Sequence, residues 1–384
     1  MSKHQISKST ACVDVVAALQ PLSEASQLSS SELTGPDAPL EISPNASVAQ
    51  KHFRFYGALE VHGIRDFGRP GPSGLSKDLG SQPLDDSNVP KGRTRYTAQA
   101  SRLGFDASTS LSGRPLAAIP EINFYGCSPN KRNNPRVRQA YREYGNFLAG
   151  KTWSSFMDLH NLPETVDFIS PIGAPFSRRA VLRYSFRDAE KNLKWTFGLE
   201  SPKDQFNSGS NGEKSAILVA RLDKTLPIGG FNIRAMTHEK RSPTDAKRGY
   251  RLGVGGHYKL SEKDTLMAQY TRVDGDIDML YGSNGYSIGP GSDALNFDKN
   301  QGLVSGYARL FSEQLRGNIA LGLNRGKTAQ ALDNRLLKQI FVNLIYTPHK
   351  NLDLGLELIY GQRKNFNAST GTMSRMDIMA RYSF

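Results

Sequence analysis

Apolar and polar side chains alternate along most of the chain from residue 51 onward. In 352–360, Leu352, Leu354, Leu356, Leu358 and Tyr360 share one face, opposite Asp353, Gly355 and Glu357. In 340–346, Ile340, Val342, Leu344 and Tyr346 oppose Phe341, Asn343 and Ile345; in 193–199, Leu193, Trp195, Phe197 and Leu199 oppose Lys194, Thr196 and Gly198. In 250–258, Tyr250, Leu252, Val254 and Tyr258 oppose Arg251, Gly253, Gly255 and His257. A strand sends successive side chains to opposite faces, so a period of two predicts half-buried β-strands. The chain ends in the same way. Phe384, Tyr382, Ala380, Ile378 and Met376 form one face, and Ser383, Arg381, Met379, Asp377 and Arg375 the other.

The pattern predicts sixteen strands, at about 52–66, 94–111, 115–126, 134–143, 146–156, 178–187, 191–200, 214–225, 230–239, 248–259, 264–273, 301–311, 315–326, 334–346, 351–362 and 374–384. Most are near the roughly 9–11 residues that a tilted strand needs to cross a bilayer. The connections sort by parity. Even-numbered ones are short, such as Ser112-Gly113-Arg114 and Tyr144-Gly145, whereas 68–93, 157–177, 201–213 and 274–300 are long. A soluble sandwich has no reason to sort its loops in this way. Short turns on one rim and long loops on the other predict a closed, all-β, 16-stranded antiparallel transmembrane barrel, with periplasmic turns and extracellular loops. A terminal strand that closes on an aromatic resembles the last strand of outer-membrane barrels, where Phe384 would address the barrel-assembly machinery.

Composition narrows the reading. No apolar stretch of about 20 residues exists, so no transmembrane helix is expected, and a mean hydropathy of −0.48 is compatible with a barrel whose strands are half polar. The net charge of +13 would suit a nucleic-acid binder if concentrated in one patch. Lys and Arg instead recur once or twice per strand, which argues against nucleic acid and for a distributed positive interior. Two cysteines, Cys12 and Cys127, and seven scattered histidines with no H-x-x-x-H pair supply no disulfide framework or metal site. Residues 51–384 form the expected barrel. Residues 1–50, rich in Ser, Pro, Ala and Glu after a short apolar stretch interrupted by Asp14, read as a flexible arm, a remnant targeting or periplasmic segment.

If the apolar faces meet outer-membrane lipid, the opposite faces line a lumen. The expected pore-lining cations are Arg102, Arg136, Arg138, Lys151, Arg183, Arg251, Arg309, Arg375 and Arg381. Inward acids are fewer, and rings of Arg and Lys favour anions. The third long loop carries Leu159, Leu162, Val166, Phe168 and Ile169, too apolar for an exposed loop, and is expected to fold into the barrel. Its Asp158, Glu164 and Asp167 would then set a transverse field opposite the basic wall or cap its charge. The site predicted is a constriction between this loop and Arg136, Arg138, Lys151 and Arg183.

From about residue 52 the chain resembles the DcaP-like outer-membrane porins. The residues carrying this are Ser101-Arg102-Leu103-Gly104-Phe105-Asp106, then Arg136-Val137-Arg138-Gln139-Ala140-Tyr141, the run from Gly145 through Lys151-Thr152-Trp153 to Asp158, and Pro163-Glu164-Thr165-Val166-Asp167-Phe168. The resemblance implies a homotrimeric sixteen-stranded porin for the passive diffusion of small anionic solutes such as carboxylates, dicarboxylates and aromatic acids, with no cofactor. Family members carry a coiled-coil N-terminal segment. Residues 1–50 here show no sustained heptads, which leaves trimerisation to the barrel wall, where the small Gly150, Thr152 and Ser154 would suit a subunit contact.

Gly145-Asn146-Phe147-Leu148-Ala149-Gly150-Lys151-Thr152 matches the P-loop expression, but neither a buried strand before it nor a helix after it is predicted, so no phosphate cradle follows. The alternative function is an outer-membrane hydrolase on the same barrel without an open pore. Ser154 and His160 lie close in sequence, yet nothing in the pattern orients them.

Overall fold

The computed structural model describes residues 51–71, 76–112, 114–128, 131–202, 214–275, 280, 282, 285–288, 294–327 and 331–384. The arm at 1–50 lies outside the described residues. The strands are β1 (His52–Asp66), β2 (Arg93–Thr97), β3 (Arg102–Leu111), β4 (Arg114–Ser128), β5 (Lys131–Tyr144), β6 (Phe147–Trp153) and β7 (Arg178–Asp188). They continue as β8 (Leu193–Glu200), β9 (Ile217–Leu226), β10 (Gly229–Arg241), β11 (Ala246–Lys259), β12 (Asp264–Asp274), β13 (Tyr286–Ile288) and β14 (Leu295–Phe297). The last five are β15 (Lys299–Leu310), β16 (Leu315–Lys327), β17 (Asn334–His349), β18 (Leu352–Asn365) and β19 (Thr370–Ser383). Among the described residues there is no α-helix.

Each wall strand pairs antiparallel with its neighbours in the chain, and β1 pairs with β19 from Ala58–Ser383 to Asp66–Arg375, which closes the barrel. Gly57 and Phe384 exchange backbone hydrogen bonds of 2.9 and 3.0 Å at the seam. A Cβ on Gly57 would stand 2.8 Å from the Phe384 ring, so glycine there admits the terminal aromatic. The wall has the expected sixteen staves. The second, read as one strand over 94–111, is β2 and β3 in line. Between the pairs His62–Thr97 and Ala58–Arg102, the four residues 98–101 face the three residues 59–61, a one-residue bulge. β13 and β14 pair only with each other, as a hairpin within the 275–298 connection.

The parity of the loops holds. On the short-turn rim, Ser112, Gly145, Asn192 and Asn351 take φ of 52°, 56°, 49° and 78°, the left-handed conformation that tight hairpins demand. The faces follow the alternation. On β19, Ile378 and Tyr382 are each 50% exposed, whereas Arg375 and Asp377 are each 1% exposed. Tyr144, Phe147, Tyr184, Phe186 and Trp195 cluster on the outer face beside the short turns, as an interfacial aromatic girdle does.

One side of the barrel interior is a hydrophobic core. The third long loop (residues 154–177) enters the lumen, and its Leu162, Phe168, Ile169, Ile172, Ala174 and Phe176 pack with inward Val304, Ala320, Leu337, Phe341, Ile359 and Met373 of β15 to β19. Leu79 of the first loop joins them. The wall makes room with glycines. A Cβ on Gly302 would stand 2.2 Å from the Gly173 carbonyl oxygen, one on Gly322 2.3 Å from that of Ile172, and one on Gly306 2.5 Å from Pro163. Gly355 similarly admits Val166 and Gly361 admits Leu79. Since the obstacle at Gly302 and Gly322 is backbone, no rotamer change relieves it.

Gly322→Val is expected to displace the third loop while leaving the barrel closed, at a cost of about 1–3 kcal/mol. Far-UV dichroism and heat-modifiable mobility should stay those of a barrel while protease cuts within 154–177. A loop as protected as in the parent would contradict this packing.

Candidate functional site

Polar clamps fix the height of the third loop. The N–H groups of Val166 and Asp167 donate to Glu357 Oε2 and Oε1 at 2.9 and 2.8 Å, and Asn343 Nδ2 donates to the same carboxylate at 2.8 Å. Ile172 N–H donates to Gln339 Oε1 at 3.0 Å, and Asn343 Nδ2 to the Glu164 carbonyl at 2.9 Å. A loop inside a lumen must find partners for its backbone groups, and inward Glu, Gln and Asn of β17 and β18 supply them.

The loop's acids meet wall arginines directly. Arg316 grips Glu164 in bidentate fashion at 2.9 and 3.0 Å and also reaches Asp353 at 3.3 Å. Arg381 donates to Asp353 at 2.6 Å and lies 4.0 Å from Glu164. Arg375 pairs with Asp66 at 2.7 Å and with Asp167 at 3.5 Å. Asp158, fully buried, lies 3.6 Å from Arg234 and 3.8 Å from Arg221 and accepts from Asn161 at 2.9 Å. A Cβ on Gly255 would fall 2.0 Å from Asp158 Oδ2, so that glycine is the recess for the carboxylate. Burial pushes the Asp158 carboxyl up, but Arg234 and Arg221 outweigh it and hold it below the ordinary range. Of the two roles expected for the loop acids, they cap wall cations; they do not stand across an open gap from them.

A second group of arginines stands on β3 to β7, away from the loop's acids. Arg138 donates to Glu121 at 2.5 Å, and Arg136 donates to Asn123 at 3.1 Å. Arg178 lies 3.6 Å above the Trp153 ring, with Arg138, Glu121, Arg136 and Arg102 as its charged neighbours. Arg102 stands 3.7 Å from Glu60, a carboxylate that also bonds His62 at 2.9 Å. The Nε and Nη2 donors of both Arg102 and Arg178 are buried without a hydrogen-bond acceptor among the described residues. Aromatic faces border the group: Tyr125 stacks on Phe168 at 4.3 Å, with Arg136 and Arg138 beside those rings at 6.0 and 5.9 Å. Buried donors without acceptors are costly, and the four guanidinium groups have two nearby carboxylates, Glu121 and the Glu60 that also bonds His62. The arrangement is suited to accepting an anion with a planar or apolar body.

The structure places Arg136 and Arg138, named for the constriction, beside Arg102, named as pore-lining. Arg183 lies below them and holds the start of the third loop, donating to Ser155 Oγ at 3.0 Å and to the Trp153 carbonyl at 2.6 Å. Arg251 is inward and fully buried, with Nη1 2.6 Å from Met236 Sδ. Arg375 and Arg381 are inward on β19, tied to acids as described.

Two expected lumen cations lie elsewhere. Arg309 is directly opposite Asp264, bonds it at 3.0 Å, and shares an outer row with exposed Leu303 on the short-turn rim. Lys151 is opposite Ala140 and Ala180, on the outer row that includes exposed Leu182 and Tyr184. The expected subunit contact is corrected too. Thr152 and Ser154 are buried, Thr152 donating to Gln139 at 2.8 Å, and Gly150, with φ of +135°, sits inward of the Lys151 row. Arg178 was not among the expected site residues. The β5–β6 ladder ends at Ala140–Lys151 while β4–β5 runs on to Ser128–Lys131. Above that fork the ends of β6 and β7 leave the wall, and Trp153 and Arg178 turn inward, so strand parity assigns them to the wrong face.

A carboxyl whose pKa is depressed in the folded state contributes stability that is present above its unfolded value, about 3.9 for Asp, and is lost as pH falls through the lower folded value. The Asp158 clamp should therefore hold from neutral pH to well into the acid range. Single-channel current noise from loop motion should stay flat down to about pH 4 and rise below it, whereas Asp158→Asn should be noisy throughout. Noise rising already at pH 6 would contradict the clamp.

The sequence matches the family described as DcaP outer membrane protein over residues 6–384. No curated protein matches it. Among solved structures, the outer membrane channel DcaP of Acinetobacter baumannii is similar with a TM-score of 0.78 and 25% identity, over 87% of this chain and 97% of that one. The anion-selective porin of Comamonas acidovorans has a TM-score of 0.61 at 12% identity, over 87% and 100% of the two chains. OmpT of Vibrio cholerae in its trimer form has a TM-score of 0.57 at 11% identity, over 87% and 99%. At such identities these last two share the fold alone. With a closed sixteen-stranded wall and a family match over nearly its whole length, the chain is a bacterial outer-membrane barrel of the channel-forming kind and belongs to the DcaP outer membrane protein family.

Proposed function

We propose that the protein is an outer-membrane porin for small anionic solutes, selecting carboxylates, dicarboxylates or aromatic acids by passive diffusion past the Arg102, Arg136, Arg138 and Arg178 group. The observation that carries this reading is the set of buried Arg102 and Arg178 donors without acceptors. A carboxylate there satisfies them with charge-assisted hydrogen bonds, beside the edge of the hydrophobic core at Trp153, Tyr125 and Phe168. The lumen opposite is closed off by the hydrophobic core and by capped charges, so the route lies along β3 to β7. An anion-selective porin with the same fold supports the reading. It makes the chain a channel and not a hydrolase, and it needs no cofactor.

The same reading makes the protein a homotrimer that packs on the outer face of β3 to β7. Ala107, Ala118, Pro120, Ala140, Ala149 and Ala180 stand there, where the remainder of the barrel presents Leu, Phe and Tyr. A trimer form of a barrel with this fold is consistent with that assembly. Phe384 at the seam is the feature that would address the assembly machinery.

Planar-bilayer recording under a KCl gradient tests the proposal. Openings in groups of three with a chloride-favouring reversal potential are expected. The Arg138→Ala/Arg178→Ala pair should lower the chloride preference several-fold, and the Lys pair at the same positions should retain most of it. An unchanged reversal potential in folded Ala variants would refute the site.

A further inference from the structure

On the long-loop rim, the outer face of β11 to β18 changes abruptly from apolar to cationic. Tyr250 gives way to Arg248, Tyr270 to Arg272, Leu303 to Gln301 and Lys299, and Leu323 to Arg325 and Lys327. Ile340 gives way to Lys338, and Tyr360 to Gln362 and Lys364. The register sets these side chains in rows. Lys299 is directly opposite Lys327, with Asp274 on its other side; one rung below, Arg272, Gln301 and Arg325 lie in line. Lys338 falls one rung lower, opposite Leu323 and Gln362. Adjacent strands lie about 4.8 Å apart, so Lys299, Arg325 and Lys327 converge on a patch the size of one phosphate group.

Cations outnumber the acids at the patch, where Asp274 beside Lys299 is the one acid in the ladder. No outward residue of β15, β16, β17 or β18 is Asp or Glu. Asp274 at its edge is 3.8 Å from Arg272, and Asp333 lies in the adjoining loop. Like charges directly opposite on a sheet repel, and Lys299 and Lys327 are both exposed. An external anion between them relieves that repulsion. Its depth narrows the choice. The cations begin one rung above the tyrosines of the apolar band, which is the level of lipid headgroups, and this side of the barrel lies away from the small-residue face of β3 to β7.

We infer that Lys299, Arg325 and Lys327, with Lys338 beside them, form a binding site for the phosphate-bearing headgroup of an outer-leaflet glycolipid. Its acyl chains would lie along the Leu and Tyr rows beneath. The inference rests on the outer-membrane location and is independent of the lumen's solute preference.

Native mass spectrometry of the intact protein in detergent tests it, with a purified bis-phosphorylated outer-leaflet glycolipid as probe, the dephosphorylated glycolipid beside it, and inorganic phosphate as competitor. The parent is expected to retain the phosphorylated lipid and not the dephosphorylated one. Lys299→Ala/Arg325→Ala/Lys327→Ala should weaken retention by about a hundredfold, on the scale of one phosphate-facing cation's contribution each. Lys299→Arg/Lys327→Arg should keep the parent's retention, and Lys263→Ala/Lys350→Ala on the opposite rim should leave it unchanged. The folded triple variant should keep the parent's conductance and reversal potential, so a failure of the pore reading would show separately. Equal retention of both lipids, retention unaffected by the triple variant, or displacement by micromolar inorganic phosphate would each overturn the assignment.

Discussion

Inside a bilayer, a backbone N–H or C=O has no water to bond, and every one must find its partner within the protein. The ladder between β1 and β19 meets that requirement for the whole wall, because it removes the last pair of free sheet edges. Everything else is a consequence of closure. Once the sheet is a tube, period-two alternation divides each strand between lipid and lumen. The lumen then becomes a second interior, which can be packed, charged or left open independently of the outer surface.

This barrel packs half of that interior and charges the other half. The packed half is made by inward glycines on β15, β16 and β18 that let the backbone of the third loop approach the wall, and by Glu357, Asn343 and Gln339, which satisfy the loop's own polar groups. Its acids are then used up on Arg316, Arg375, Arg234 and Arg221. The result is an asymmetry of charge that no single strand carries. On β3 to β7 the arginines outnumber the carboxylates within reach, and two of them retain buried donors without acceptors. The same separation of duties holds outside, where a small-residue face and a cation-rimmed apolar face occupy different sides of the wall.

The strand count, loop parity and inward fold of the third loop were legible because each is written in long runs: alternation over nine or more residues, and Leu162, Val166, Phe168 and Ile169 in a segment that should otherwise be polar. Arg102, Arg136 and Arg138 were legible for the same reason. Lys151 and Arg309 were not. A polar residue on the outer face, at a subunit contact or at the headgroup level, looks like a lumen residue when only alternation is available. The bulge at 98–101 and the fork above Lys151 were also hidden, since each depends on how far neighbouring ladders extend. Arg178 enters the site because of that fork, and no local pattern around Ser177-Arg178-Arg179 predicts that Arg178 turns inward beside Arg179.

The central claim is that free anions gather on the β3 to β7 side of the lumen because Arg102 and Arg178 stand there together with buried donors that lack acceptors. Anomalous diffraction from crystals soaked in bromide tests it most directly, since bromide occupies anion positions and is located without reference to any solute. The account predicts the strongest lumen peak within contact distance of Arg102, Arg138 and Arg178. Bromide strung along Arg316, Arg375 and Arg381, with none at that group, would contradict it.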